Sequence, residues 1–596
     1  MHHLPRIRAV LAMLLLSWGS TVAPSAAQFP SEHADLLSDG AYRMLFGVHC
    51  TPAEEPVETQ DDGGTSSTAG PPPRVGPNRQ VSAPQIPFPD GFLGRSETTL
   101  AATAGGQRLV VGWNDAEGFC GPPFNVDCPA PDVPGISGFG VSTDGGKTFQ
   151  DLGAPPPGTR IGFGPGTEGT SASGVYVTAT DPSLDSPAGS QEVVFANLAL
   201  FDDFTLNTAG VSVHGGAFGP GASFAWNEPV LLQSPNYPRD FLDKEHVATE
   251  RRGGQTSVYV TLTNFKEVAG VPASGLGQIE SFSSHDGGET WTRAVVQPDE
   301  TFVGLEDAGI INQGSEPVVA PDGTVHIVWQ RGFLSPFFSQ GAAGVFPELR
   351  TARSDDGGAT WQPAAAGPPG SGVNPAGVRV ASVCAGDLFP PSGYSRNRNN
   401  TWPRIAVARS GPHRGRLYVA WQDCRIANGG PMPAPQGPED AFGFDLGHPD
   451  TDVFLAFSDD GGATWSEPVL VAGGGDGLIQ FWPTVSVGPT GAVDVTYSQS
   501  FEPDGTSFLG EDGGTSLVDV FWARSTDGGE TFGAPVRLTE VTSDWGAADS
   551  NLTPNFGDYN DAASVGTSLL ATWADGRNGV PNVFFTRALA DQGDRE

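Results

Sequence analysis

From Arg108 onward the chain repeats one pattern: short runs in which apolar and polar residues alternate, many closing on tryptophan and a polar group. They read RLVVGWND, GVYVTATD, SVYVTLTN, TVHIVWQR, RLYVAWQDCR, AVDVTYSQ and LLATWADGR. A period of two with β-branched and aromatic residues predicts half-buried strands. A shorter apolar run precedes each (TTLAATA, EHVATE, EPVVAP, PRIAVA, PTVSVG, DAASV). A third leads into a glycine turn (ISGFGVS, VFLAFS, VDVFWARS), and a fourth leaves it (WSEPVLVA, FGAPVRLT). Four antiparallel strands recurring in this way predict an all-β propeller built of four-stranded blades.

The turns themselves are near-copies: STDGGKTF from Ser142, SHDGGETW from Ser284, SDDGGATW from Ser354 and from Ser458, and STDGGETF from Ser525. In each, Asp144, Asp286, Asp356, Asp460 or Asp527 is placed to accept hydrogen bonds from its own turn, and glycine accepts positive φ. A structural purpose follows, because copies spread over several blades cannot converge on one catalytic centre. The first two copies are separated by about twice the usual gap, so a blade without the turn is expected between Thr159 and Gln233, with GVYVTATD as a strand. The count reaches seven blades, with six plus an accessory sheet as the alternative. The last unit shows only three strands, and a stretch before Ser96 is the candidate to complete it.

These turns resemble the Asp-boxes of the sialidase-like superfamily, and the resemblance covers Ser96 to Leu589. Families with such boxes include sialidases, xyloglucan-degrading enzymes, sorting receptors and noncatalytic assembly factors. The segments SETTLAA with VVGWND, DKEHVA, and GDYNDAA with WADGR look more like a group of secreted bacterial sialidase-like proteins. The resemblance implies a propeller that acts on glycans as an exo-sialidase or other glycoside hydrolase, or that binds glycans or proteins without cleaving.

Chain direction puts the starts of first strands and the ends of second strands on one face, opposite the repeated turns. The first-strand set is Glu97, Lys244 with Glu245, Glu316, Trp402 with Arg404, Trp482, and Asp558 with Tyr559. The second-strand set is Asn114 with Asp115, Asp181, Arg331, Asp423 with Arg425, and Asp575 with Arg577. Aromatic faces stack on sugars and arginine forks pair with carboxylates, so Arg331, Arg425, Arg577, Trp402 and Trp482 are the candidate substrate-binding residues, on exposed aromatics at an open mouth. By the resemblance, Tyr559 stands where the nucleophile sits, with Glu245 and Asp115 as the other catalytic candidates. Glu117, Asp127 and Asp132 share the first-blade loop with Asp115. The family's Arg-Ile-Pro opening is replaced by RSETT, which puts Glu97 near the expected arginine, a departure that bears on sialic acid specificity and on catalysis. The bland alternative is that such Asp and Arg residues bridge neighbouring blades.

Composition then narrows the setting. Net charge is −37 with three lysines (Lys147, Lys244, Lys266), which argues against nucleic acid and anionic membranes as partners. Arg6 and Arg8, the apolar run Ala9–Trp18 and the small residues to Ala27 form a signal peptide over residues 1–27, with export, no membrane insertion and a monomer expected. Residues 28–95 form an N-terminal segment, reading as a disordered linker from about Cys50 to Asp90; residues 96–589 form the propeller and 590–596 a tail. In an oxidising compartment Cys120 with Cys128 and Cys384 with Cys424 are the expected disulfides, leaving Cys50. The ten histidines show no cluster and no spaced ligand loop appears, so neither metal nor cofactor is expected.

Overall fold

The computed structural model describes residues 73–590 apart from 86–90, 120–134, 165–170, 202–207, 267–276, 302–308, 335–344, 366–374, 385–392, 396–401, 427–428, 430–449, 502–516 and positions 476 and 553. The signal segment, Cys50, the Cys120–Cys128 pair, Asp127, Asp132, most of the long loops and the C-terminal tail lie outside the described residues.

Seven sheets follow one another along the chain, and six of them are regular antiparallel blades. Their first strands are Arg95–Thr103, Phe241–Arg252, Gly309–Val319, Arg404–Val407, Ile479–Val487 and Asp561–Val565. The second sheet is larger, with seven strands. Its axial strand is Ser183–Asp185, followed by Glu192–Phe201 and Thr208–Phe218. The run GVYVTATD is therefore not that blade's second strand: Ser171–Thr178 belongs to an added hairpin with Gly158–Phe163. Asp181 consequently stands before a first strand, not after a second one.

Alternation explains why the sheets stack. Each blade turns apolar residues to both neighbours, and seven apolar clusters fill the seven gaps. Leu184 and Phe195 pack on Val110 and Phe139 between the first two sheets. Leu570 and Phe585 pack on Leu109 and Trp113 between the last and the first, closing the ring. Trp113, Trp329, Trp421, Trp522 and Trp573 are among the largest fully buried side chains. At ~25 cal/mol per Å² over ~150–250 Å², each contributes at most roughly 4–6 kcal/mol.

The last sheet has strands Asp561–Val565, Ser568–Asp575 and Asn582–Leu589, and its outer edge is completed from the other part of the chain. Arg74 and Val75 pair with Leu589 and Ala588, and Arg79 and Gln80 with Phe585 and Phe584. Part of the stretch read as linker is thus strand.

Toward the axis each first strand is an edge whose N–H groups need acceptors. At four of the seven junctions the same strand position supplies them. Thr99 Oγ1 accepts from Leu184 N at 2.9 Å, Ser183 Oγ from Val247 N at 3.1 Å, Glu316 Oε2 from Ile405 N at 2.8 Å and Asp561 Oδ2 from Leu100 N at 2.8 Å. Between the third and fourth sheets the matching residues are His246 and Pro317. Proline has no N–H to give, so that latch cannot form.

The five repeated turns lie at the far ends of the third strands of five of the sheets. Asp144 Oδ1 accepts from Thr148 N at 3.0 Å, its Oδ2 from Thr148 Oγ1 at 2.7 Å, and Ser142 Oγ accepts from Gly146 N at 2.9 Å. Asp286, Asp356, Asp460 and Asp527 hold Thr290, Thr360, Thr464 and Thr531 in the same way. Among the described residues a disulfide joins Cys384 to Cys424, with Cα atoms 5.0 Å apart.

Candidate functional site

Where the first strands begin, the backbone makes the same detour several times. Two residues drop out of register between Ser96 and Thr99, Asp243 and His246, Gln313 and Glu316, and Phe481 and Thr484. The first residue of each insertion is left-handed: Glu97 at φ 51°, Lys244 at 53°, Gly314 at 66° and Trp482 at 50°, with Asp181 at 61° just before the second sheet's axial strand. A bulge re-aims side chains, and a non-glycine residue at such φ is costly enough to mark a special place. Gly314 has a plain reason to be glycine. A Cβ there would lie 1.8 Å from the Trp402 ring.

These bulges deliver an ionic hub. Lys244 Nζ is 2.7 Å from Asp558 Oδ2, 3.0 Å from Asp181 Oδ2 and 3.2 Å from Glu97 Oε1, so one cation ties the third sheet to the last, second and first. All four side chains are at most 1% exposed. The ammonium also sits 5.4 Å from the Trp402 ring centre and 5.7 Å from that of Tyr559, near enough for cation–π attraction. Asn114 Nδ2 donates to Glu97 Oε2 at 2.9 Å, and Tyr394 Oη donates to the Gly557 carbonyl at 2.7 Å.

Tyr559 is 6% exposed, and its hydroxyl donates to the Pro182 carbonyl at 2.9 Å. Burial first, then the charges of Glu97, Asp181 and Glu245, push its pKa well above 10. Glu245 is 1% exposed, and neither carboxyl oxygen has a hydrogen-bond partner among the described residues. Burial, reinforced by the Asp181 charge, pushes its pKa well above the ordinary glutamate range. Among the described residues no three His, Cys, Asp or Glu side chains group as metal ligands would.

Tyr559 and Glu245 therefore share one electrostatic neighbourhood, while Asp115 keeps other company. Asp115 Oδ2 is 2.9 Å from Arg95 Nε and accepts from the Trp113 indole N–H at 2.9 Å. The arginines are also engaged within their own sheets. Arg331 is bound to Glu300 at 2.9 Å and to Glu348. Arg425 Nε is 2.7 Å from Asp423, and Arg577 Nη2 is 2.6 Å from Asp575. In WQDCR and WADGR the tryptophan N–H donates to the aspartate two residues on, which holds the arginine two further on. A strand's period of two sets the tryptophan and the aspartate on one face, and the turn that follows brings the arginine back onto the aspartate. Trp402 and Trp482 are 7% and 5% exposed; Trp482 packs on Tyr394, Phe481 and Trp545. Both rings are thus buried rather than exposed as expected from sequence: Trp402 lies against the Lys244 ammonium, and the bulge at Trp482 sets its ring into an aromatic cluster.

Beneath the hub the first strands surround an axial well of about 360 Å³. Its walls carry Thr99, Ser183, Asp185, His246, Glu316, Arg404, Arg409, Asp561 and Ser564, with Tyr559 and Thr98 at the hub end. Lining residues become more exposed along each strand. Thr98, Pro182 and Tyr559 are buried, Ala102, Ser486 and Val565 half-buried, and Ala188 and Arg409 exposed. The well thus opens on the face of the repeated turns. Arg404 spans it between Glu316 at 3.1 Å and Asp561 at 3.4 Å. Burial raises Glu316 to about 7, partly opposed by Arg404. Sequence reading missed His246, Asp185, Arg409 and Asp561. The usable signal was their position along the first strand, directly after a bulge for His246 and just past the strand's other end for Arg409.

The class the sheets define is a β-propeller. No family model matches the chain, and no curated protein matches it. Among solved structures it is similar to a protein of unknown function from Dyadobacter fermentans, at 13% identity over 86% of this chain and 99% of that one, TM-score 0.35. It is similar to the Trypanosoma rangeli sialidase at 12% identity over 73% and 60%, TM-score 0.35. A Penicillium chrysogenum α-L-arabinanase is similar at 13% identity over 79% and 100%, TM-score 0.33.

Proposed function

We propose that this protein is a carbohydrate-directed propeller that binds its ligand without cleaving it, working outside the cytoplasm as a monomer. The glycan class is supported by the propeller and its five repeated turns. The observation that carries the noncatalytic reading is Tyr559. A nucleophilic tyrosine must lose its proton, yet this hydroxyl is given to Pro182 and three nearby acids oppose its ionisation. A glycan array and a panel of chromogenic glycosides test it. Selective array binding without turnover is the expected result. Turnover that Tyr559→Phe abolishes, with the melting temperature unchanged, overturns it.

One observation favours hydrolysis instead. Glu245 is a buried carboxyl whose pKa is pushed up beside Asp181, an arrangement that acid–base catalysis can use. On that reading Glu245→Gln lowers turnover by roughly 10²-fold or more.

A further inference from the structure

The axial well has no part in the hub's ion pairing, and its chemistry is specific enough to name a ligand. We propose that it binds one neutral, polyhydroxylated ring, the terminal residue of a glycan, admitted from the face of the repeated turns. This rests on the carbohydrate reading and goes beyond it, by placing the ligand at the opposite end of the axis from the bulges.

Size is the first argument. About 360 Å³ lies in the small-molecule range of roughly 300–1,000 Å³ and takes a single sugar ring with some water. The second is unmet demand: Thr98 Oγ1 is a buried polar atom of a lining residue with no hydrogen-bond partner among the described residues. Buried polar atoms of this kind call for water or a ligand. The third is charge. Asp185, Glu316 and Asp561 face Arg404 and Arg409, so three acids meet two cations, and Glu316 at about 7 is half protonated near neutrality. A charged ligand finds little surplus to pair with. A ring of hydroxyls, each both donor and acceptor, meets carboxylates, guanidinium, imidazole and the Ser183, Ser486 and Ser564 hydroxyls together. The Tyr559 side chain at the hub end adds an aromatic surface, which sugar rings favour.

The test uses the full chain and whichever glycan the array identifies. Ala188→Cys at the exposed rim is alkylated with a bulky maleimide, and wild-type protein treated alike controls for native thiols. The adduct at position 188 should weaken binding at least tenfold. An adduct at position 117, made from Glu117→Cys on the first-strand-start face, should leave it unchanged. Thr98→Val, which removes one hydroxyl at constant shape, should also weaken binding, with the far-UV spectrum preserved. If the position-188 adduct binds as wild type, or only the position-117 adduct blocks, the well is not the site and the carbohydrate reading stands. If unmodified protein binds no glycan on the array, the carbohydrate reading fails and the well proposal falls with it.

Discussion

Gly146 shows how a single position serves the turn and its neighbour at once. Its φ is +86°, and a Cβ would lie 2.2 Å from Cε1 of Phe585 in the adjoining blade. Gly153 has φ +71° with nothing within 4 Å. Gly153→Ala should cost only the left-handed penalty, about 1–2 kcal/mol, whereas Gly146→Ala adds overpacking and should cost about 3 kcal/mol. Urea denaturation of the pair measures the difference. The turn aspartates titrate in a set direction too. Burial would raise Asp144, but hydrogen bonds from Thr148, Ser142 and Lys147 outweigh it and bring it to about 2. Stability from this depressed carboxyl is present above its ordinary 3.8 and is lost as pH falls toward 2. Glu316 runs the other way. With a folded value near 7 against an ordinary 4.5, its contribution favours folding at low pH and is lost as pH rises through 7. Melting temperatures of Glu316→Gln should therefore show a flatter pH profile between 4.5 and 7 than wild type. The turns were legible in sequence because all their partners lie within six residues. Lys244 was visible as a first-strand residue, but its partners Glu97 and Asp558 are 147 and 314 residues away, and no local pattern announces them.

At the scale of elements, alternation found the regular blades and misread the second. GVYVTATD has the period of a second strand, whereas the true one, EVVFANLALF, is almost continuously apolar because both its faces are covered. The bulges were invisible for a similar reason: an inserted pair changes register without changing composition. The disulfide makes an element-level prediction. It closes a loop of 40 residues between the fourth and fifth sheets, worth about 4 kcal/mol by loop entropy. Cys384→Ser with Cys424→Ser should lower unfolding free energy by about that amount, read in denaturant titrations that compare the pair with the disulfide-intact chain.

For the whole molecule, Lys244 concentrates the risk. Lys244→Met would leave three carboxylates buried around a missing cation, and losing one partner of a buried pair costs about 3–5 kcal/mol. The melting temperature should drop accordingly, and further than in a variant that loses only one of the three acids, Asp558→Asn. An unchanged melting temperature would mean that the cation is dispensable there.

The last blade is built from residues near both ends of the described chain, and Thr586 Oγ1 donates to the Gly76 carbonyl across 510 residues. That separation orders events in time. Chain closure over so long a span is slow, so a newly made chain must carry two unmated strand edges until the final sheet exists, exposed to aggregation while it waits. The closing seam should then form after the folding transition state, where weakening it hastens unfolding and leaves refolding almost untouched. Thr586→Val, followed by stopped-flow, should show that asymmetry: a faster unfolding limb beside an unchanged folding limb.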